Sequence, residues 1–222
     1  LQKQFGFFKN ELAITGLTRF DYLPKKVIKR SQTILFMPTW REWLTNAKEE
    51  VFIKSQFYIR INALLSSREL QDILMRYNYK MQVCVHHQIK KHMDVFQNEL
   101  TNISFHSMSE INVQELIIAA DMMLTDYSSA SFDMLYQNKP VIYYQFDAAQ
   151  FFSVRGGPLI CPLTEFPGPV YSDANDILKT LEFYLSRGCL PEPRFSKIAN
   201  KFFTYRDGNS SKRILRLIEG AK

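Results

Sequence analysis

The run Thr125-Asp126-Tyr127-Ser128-Ser129-Ala130-Ser131-Phe132-Asp133 follows directly on the apolar stretch Met122-Met123-Leu124. An apolar strand ending in hydroxyl-bearing residues at a helix start turns backbone N–H and side-chain O–H groups outward, the arrangement that cradles a phosphate. Ordinary helix capping by Ser128 or Ser129 is the other reading of the same residues. Asp133 falls one helical turn after Ser129, where it would accept a ribose hydroxyl or complement the helix dipole. Thr39-Trp40-Arg41, after Pro38, closes a second apolar run. Arg41 would offer a planar guanidinium to a diphosphate while Trp40 shields it, or would sit in a surface ion pair. His86-His87 closes a third run; an imidazole there would donate to a phosphate oxygen, handle a proton or be structural, its unperturbed pKa being about 6.5. Arg155-Gly156-Gly157 opens a loop that ends near Pro167-Gly168-Pro169. Arg155 would reach a phosphate while the glycines allow close backbone approach, or the segment is a plain surface loop. His86, His87 and His92 lack the spacing of a metal cage, and the acidic residues are scattered.

These residues need elements to hold them. Apolar runs at 33–37, 81–85, 102–105, 122–125 and 140–144 read as buried strands. Helical patterns lie between and after them, at 66–77, 88–98, 112–120, 129–137, 174–186, 195–204 and 209–219. Ser66-Ser67-Arg68-Glu69 has the spacing of a capping box at the first of these. Strands alternating with helices predict an α/β fold, a Rossmann-like parallel sheet flanked by helices. In such sheets ligands sit beyond the carboxyl ends of the strands, where Thr39-Trp40-Arg41, His86-His87, His106-Ser107, Asp126-Tyr127-Ser128-Ser129 and Asp147 fall.

Composition bounds the alternatives. With 46% hydrophobic residues in 222, the chain can bury a sizeable core, which excludes disorder as the main state. No apolar run approaches the roughly 20 residues that span a bilayer, and Leu1-Gln2-Lys3-Gln4-Phe5 lacks the apolar run of a secretory signal. A cytoplasmic location is therefore expected. Cys84, Cys161 and Cys189 are odd in number and have no CxxC spacing, so they read as reduced and structural. The net charge of +6 is uneven, with basic ends around an acidic middle. Two basic ends folded together would face phosphates or an anionic membrane surface, or form a solvated charged face. Lys25, Lys26, Lys29 and Arg30 lack the interleaved aromatics of a single-strand groove, so no nucleic-acid partner is expected. No linker or repeat divides the sequence, which predicts one domain over 1–222, with a leading segment to about residue 30 and terminal helices from about 190.

Thr39-Trp40-Arg41, Thr125-Asp126-Tyr127-Ser128-Ser129 with Phe132-Asp133, Arg155-Gly156, and the closing Asp207-Gly208 with Arg213-Ile214 together resemble the carboxyl-terminal domain of the CDP-glycerol glycerophosphotransferases, the teichoic acid and capsule polyol-phosphate polymerases. Gly16-Leu17-Thr18-Arg19-Phe20-Asp21 resembles that family's leading segment, and the motifs follow in the same order along almost the whole chain. The resemblance implies the carboxyl-terminal half of a GT-B enzyme, which transfers glycerol phosphate or ribitol phosphate from a CDP-polyol donor to a lipid-linked polymer acceptor and releases CMP. It assigns Thr39, Arg41, His86, Asp126, Ser128, Ser129, Asp133 and Arg155 to the donor site, with His86 and Arg41 in catalytic roles. His87 stands where the family has proline, and Pro158-Leu159-Ile160-Cys161 lacks the aromatic and acidic residues often found there. The resemblance further implies an amino-terminal domain absent from these 222 residues, so that the chain is a fragment or isolated half; peripheral contact with anionic lipid at the inner face of the cell membrane; and no cofactor beyond the donor, with a divalent ion compatible. A GT-B glycosyltransferase using a nucleotide sugar, and a non-catalytic nucleotide-binding or membrane-docking module, are the alternatives that the same crevice would serve.

Overall fold

A computed structural model of the chain describes residues 6–24, 30–96, 102–157 and 165–220, with only the backbone of Arg155. Six parallel strands form one sheet: β1 (Thr33–Met37), β2 (Lys80–Val85), β3 (Ile103–Ser107), β4 (Met122–Thr125), β5 (Val141–Tyr144) and β6 (Val170–Tyr171), in the order β3-β2-β1-β4-β5-β6. The first five lie where the apolar runs predict them. The sixth was not anticipated, because two residues are too short to carry a period.

The strands are apolar throughout because both faces of the sheet are covered. Ile34 and Phe36 of β1 enter one core with Met81, Val83, Leu124 and Tyr144; Leu35 and Met37 point the other way, with Met123, Val141 and Tyr143. The first core is closed by α1 (Glu49–Phe52), α2 (Gln56–Leu65), α3 (Arg68–Tyr77) and, after the sheet's last strand, Ala174–Ser186. The second is closed by α4 (Val113–Ala119) and α5 (Ser131–Tyr136) through Ile117 and Met134. The chain continues through α6 (Ala148–Arg155), α7 (Ala174–Ser186), α8 (Pro193–Phe202) and α9 (Ser210–Gly220).

Several expectations are corrected. Helices α1, α2 and α6 had not been read from the sequence. The cap of α3 is Ser67, whose Oγ accepts from Leu70 N at 3.2 Å, whereas Ser66 ends α2. His87–Val95 is a 3-10 helix rather than the start of an α-helix over 88–98, of which residues 97 and 98 lie outside the described residues. Its inward residues Ile89, His92 and Val95 recur every third position, the period that eclipses side chains in a 3-10 helix. Pro167-Gly168-Pro169 is the approach to β6: Tyr143 N donates to Pro169 O at 2.9 Å, and a Cβ on Gly168 would lie 1.9 Å from Val141 O.

The leading segment is bound to the end of the chain. Phe20, in a 3-10 turn over Thr18–Tyr22, is buried against Tyr136 and Phe203. Asp21 accepts from Ser210 N and Ser211 N at 2.8 Å each, satisfying the first amides of α9. Partial desolvation pushes the Asp21 carboxyl up, and the bonds from Ser211, then Ser210, outweigh it and hold it at about 2 against an ordinary 3.8. A depressed carboxylate contributes above its unfolded pKa and loses that contribution as pH falls through the folded one. Protection of the first α9 amides, taken relative to the intrinsic exchange rate at each pH, is therefore expected to hold from neutral pH down to about 4 and to fall towards pH 2. Asp21→Asn should show fast α9 exchange already at neutral pH, measured by hydrogen–deuterium exchange.

Candidate active site

The sheet order reverses direction at β1, whose neighbours are β2 on one side and β4 on the other. The crevice at the carboxyl ends of β1 and β4 is the topological switch point, where open parallel sheets bind ligands.

The loops after β1, β4 and β5 are joined by an ion cluster. The Arg41 side chain is wholly enclosed. Its Nε and Nη2 donate to Asp147 Oδ2 and Oδ1 at 2.6 and 2.9 Å, and Nη1 donates to Asp126 Oδ2 at 2.9 Å and to Thr39 O. Phe57, Tyr127, Phe146 and Phe151 surround the guanidinium, with ring centres 5.0–5.7 Å away. Burial alone would lower the Arg41 pKa; the charge of Asp126 and the bonds to Asp147 raise it instead. Asp126 Oδ1 accepts from Thr39 N at 2.8 Å and Tyr127 N at 2.6 Å, and Tyr127 Oη donates to Asp147 Oδ1 at 2.9 Å. Burial, then the Asp147 charge, pushes the Tyr127 phenol far above its ordinary range. The cluster thus ties together the loops after β1, β4 and β5. Arg41 and Asp126 lie inside the wall of the crevice, so the expected guanidinium facing a diphosphate is replaced by one whose three nitrogens all bond protein. Thr39 contributes its backbone, and its buried Oγ1 has no partner among the described residues.

After Asp126 the chain turns out towards solvent. Ser128 is half-buried and Ser129 exposed. Helix α5 begins at Ser131, led in by a turn in which Ser131 N donates to Ser128 O and Phe132 N to Ser129 O, so Ser128 caps the start of this turn, as the second reading supposed, while Ser129 does not. Ser128 Oγ accepts from Ala130 N at 3.2 Å, a local turn that leaves its own O–H free to rotate outward. The two serines and Asp133 line a cavity of about 330 Å³ with Arg19, Gln114 and Ile117. A second cavity of about 440 Å³, walled by Ile14, Leu17, Phe20, Phe132 and Phe202, shares Arg19 and Ser129 with the first. Asp133 is not open to a ligand on both oxygens: Arg19 Nε and Nη2 reach its Oδ1 and Oδ2 at 2.9 Å each.

His86 stands at the carboxyl end of β2, on the other side of β1. Its ring stacks on Trp40, 5.4 Å between centres, and touches His87 at 4.0 Å. Burial, then the neighbouring His87, lowers its pKa below the ordinary 6.5, which keeps the imidazole neutral at pH 7. Its Nδ1 accepts from Gln88 N at 3.3 Å, which places the proton on Nε2. A neutral ring in this tautomer is a hydrogen-bond donor through Nε2. Arg155 ends α6, and Gly156 follows with φ +76° as the left-handed residue that stops the helix; the Arg155 side chain and residues 158–164 lie outside what is described.

The structure therefore brings Ser128, Ser129 and Asp133 to one cavity, joins Thr39, Arg41 and Asp126 in the ion cluster behind the loops after β1 and β4, and leaves His86 outside both, at the end of β2. Asp147 was noted in the sequence only as a polar residue after β5, and Arg19 only within the leading segment. Arg19 meets its partner across 114 residues, and no local pattern announces such a pair. Among the described residues no group of three or more His, Cys, Asp or Glu is placed to hold a metal ion.

The model of the CDP-glycerol:poly(glycerophosphate) glycerophosphotransferase family matches residues 1–220. The chain belongs to this family. The minor teichoic acid biosynthesis protein GgaB of Bacillus subtilis (strain 168) is 26% identical, covering 96% of this chain and 24% of that protein. The teichoic acid glycerol-phosphate primase of the same organism is 25% identical over 98% of this chain and 54% of its own length. The wall teichoic acid polymerase TagF is similar in structure, with a TM-score of 0.70 and 20% identity over 98% of this chain and 54% of that one. The chain thus spans about a quarter to a half of these relatives. Its fold is the expected α/β fold, a Rossmann-like parallel sheet flanked by helices, and it matches about half of the TagF chain. No helix among the described residues is long and apolar enough to cross a membrane.

Proposed function

We propose that this chain is the donor-binding half of a transferase that moves a polyol phosphate, glycerol phosphate or ribitol phosphate, from its CDP carrier to a hydroxyl of a lipid-linked polymer. The observation that carries the reading is the pair Ser128 and Ser129, directly after β4, lining a cavity of about 330 Å³, in a chain that matches the glycerophosphotransferase family over residues 1–220. The acceptor oxygen attacks the β-phosphorus in line; a new P–O bond forms, the bond from that phosphorus to the bridging oxygen breaks, and CMP leaves with the electron pair. Little covalent chemistry is asked of the protein, so positioning and electrostatics dominate. Ser128 and Ser129 hold the diphosphate, and His86 Nε2–H donates to a phosphoryl oxygen. Arg41 acts as a positioning residue that fixes the loops carrying Thr39 and Asp126. The base that receives the acceptor proton belongs to an amino-terminal half, which also carries the acceptor site.

The chain works in the cytoplasm at the inner face of the membrane, where its basic ends meet anionic lipid. Calorimetric titration of the 222-residue chain with CDP-glycerol, CDP-ribitol, CMP and UDP-sugars tests the donor class. The expected result is a preference for a CDP-polyol. A preference for UDP-sugars would replace the proposal with a glycosyltransferase.

A further inference from the structure

We propose that an open cavity between the segments that follow β1 and β5 is a carbohydrate subsite, which takes a sugar ring of the acceptor polymer against Trp43. The chemistry of the cavity stands by itself; that the sugar belongs to the acceptor rests on the transferase reading above.

The cavity has a volume of about 520 Å³ and shares no residue with the two cavities beside Ser129. Its walls come from the 3-10 turn Glu42–Leu44 after β1, from Glu50 through Gln56 where α1 gives way to α2, and from Gln150 of α6, after β5. The turn and α6 thus leave the same carboxyl edge of the sheet as the loop that carries Ser128 and Ser129. Leu44 N donates to Arg41 O at 2.9 Å, and the tight turn this closes buries Arg41 and Leu44 while Trp43 between them stays 37% exposed. Gln56 and Gln150 stand next in the chain to Phe57 and Phe151, whose rings lie 5.0 and 5.3 Å from the Arg41 guanidinium, so the buried cluster holds the backbone of both amides. Gln56 Nε2 donates to Phe146 O at 3.4 Å, which ties the wall after β1 to the loop after β5. Its amide oxygen has no partner among the described residues and is left to accept from a ligand.

This lining suits a sugar better than a phosphate. A pyranose carries hydroxyls around its rim and apolar C–H groups on its faces, so an aromatic ring covers the face while a few placed polar groups read the rim. Trp43 offers the ring. Gln56 and Gln150 each supply donors and an acceptor, Glu50 accepts and Lys54 donates. Neither Glu50 nor Lys54 forms an ion pair with another described residue, so a ligand can meet both. Their charges cancel, whereas a site for a phosphate carries an excess of positive charge. Covering the exposed indole with a C–H face removes apolar area from water, a gain that a small hydrated anion does not bring.

The test follows the indole N–H signals of the two tryptophans, Trp40 and Trp43, by NMR in the 222-residue chain. The probes are trisaccharides of glucose, of galactose and of N-acetylglucosamine, beside a glycerol phosphate trimer and inorganic phosphate. At least one trisaccharide should move the Trp43 signal, assigned with Trp43→Phe, in a saturable way, and inorganic phosphate should not. Removing the aromatic platform in Trp43→Ala should weaken that binding about 10-fold or more. Gln150→Ala, which removes one rim hydrogen bond from an exposed helix position, should weaken it about 2- to 10-fold. Thermal unfolding checks that both variants fold; should Trp43→Ala fold poorly, Gln150→Ala carries the same test. A Trp43 signal that no trisaccharide moves, or sugar binding at wild-type strength in both variants, would overturn the proposal. So would saturable binding of the glycerol phosphate trimer or of inorganic phosphate at Trp43 in place of a sugar. Calorimetry with CDP-glycerol keeps the two readings apart. Sugar binding at Trp43 without any CDP-polyol binding would leave the subsite standing and remove the donor reading, and CDP-glycerol binding with an unmoved Trp43 signal would do the reverse.

Discussion

Arg41→Met is expected to destabilise the chain by about 3–5 kcal/mol, the cost of breaking a buried ion cluster by removing one partner. The substitution leaves the Asp126 and Asp147 carboxylates enclosed, side by side, without the guanidinium that bonds both. A loss of that size is a large part of the roughly 5–15 kcal/mol that holds a typical domain together. Urea unfolding at neutral pH measures it. The triple variant Arg41→Met, Asp126→Asn, Asp147→Asn should recover much of the stability, because it removes the stranded charges together with their partner. If Arg41→Met unfolded at the wild-type urea concentration yet lost CDP-glycerol affinity, Arg41 would return to the phosphate-facing role that its position after β1 first suggested.

The serine pair predicts the opposite division between stability and activity. In the complete enzyme containing this chain, the Ser128→Ala, Ser129→Ala double variant should slow turnover about 10²–10³-fold, the effect of removing a donor aimed at developing charge. Its unfolding midpoint should change little. Ser129 is exposed, and the one bond Ser128 Oγ gives the fold, accepting from Ala130 N, is worth about 0.5–1.5 kcal/mol. Steady-state kinetics beside thermal unfolding separates the two quantities. Unchanged turnover in the double variant would remove the diphosphate from this cavity.

Much of the architecture was legible because a parallel sheet covered on both faces writes itself as apolar runs. Thr33–Met37 and Met122–Thr125 are observed as read, and Ala174–Ser186 has the helix bounds its pattern gave. Helix α2 carries Phe57, Ile61, Leu64 and Leu65 at helical spacing, so its signal was present although not used. The two residues of β6 had no such signal, since pairing with β5 alone defines them. In the site, the local motif found Ser128, Ser129 and Asp133 because strand, turn and helix follow one another in the chain. It could not show that Arg41 is enclosed, which depends on rings from four separate positions and a carboxylate 106 residues away. Nor could it show that Asp133 is occupied by Arg19. Both features arise from packing between distant segments, where neither spacing nor composition leaves a trace.

The most direct measurement is a crystal structure of the chain with CDP-glycerol bound. The account predicts the two phosphates within hydrogen-bonding distance of the Ser128 and Ser129 hydroxyls, with Arg41 still joined to Asp126 and Asp147. Phosphates seated away from both serines, or an Arg41 that has left its carboxylates to meet them, would contradict it.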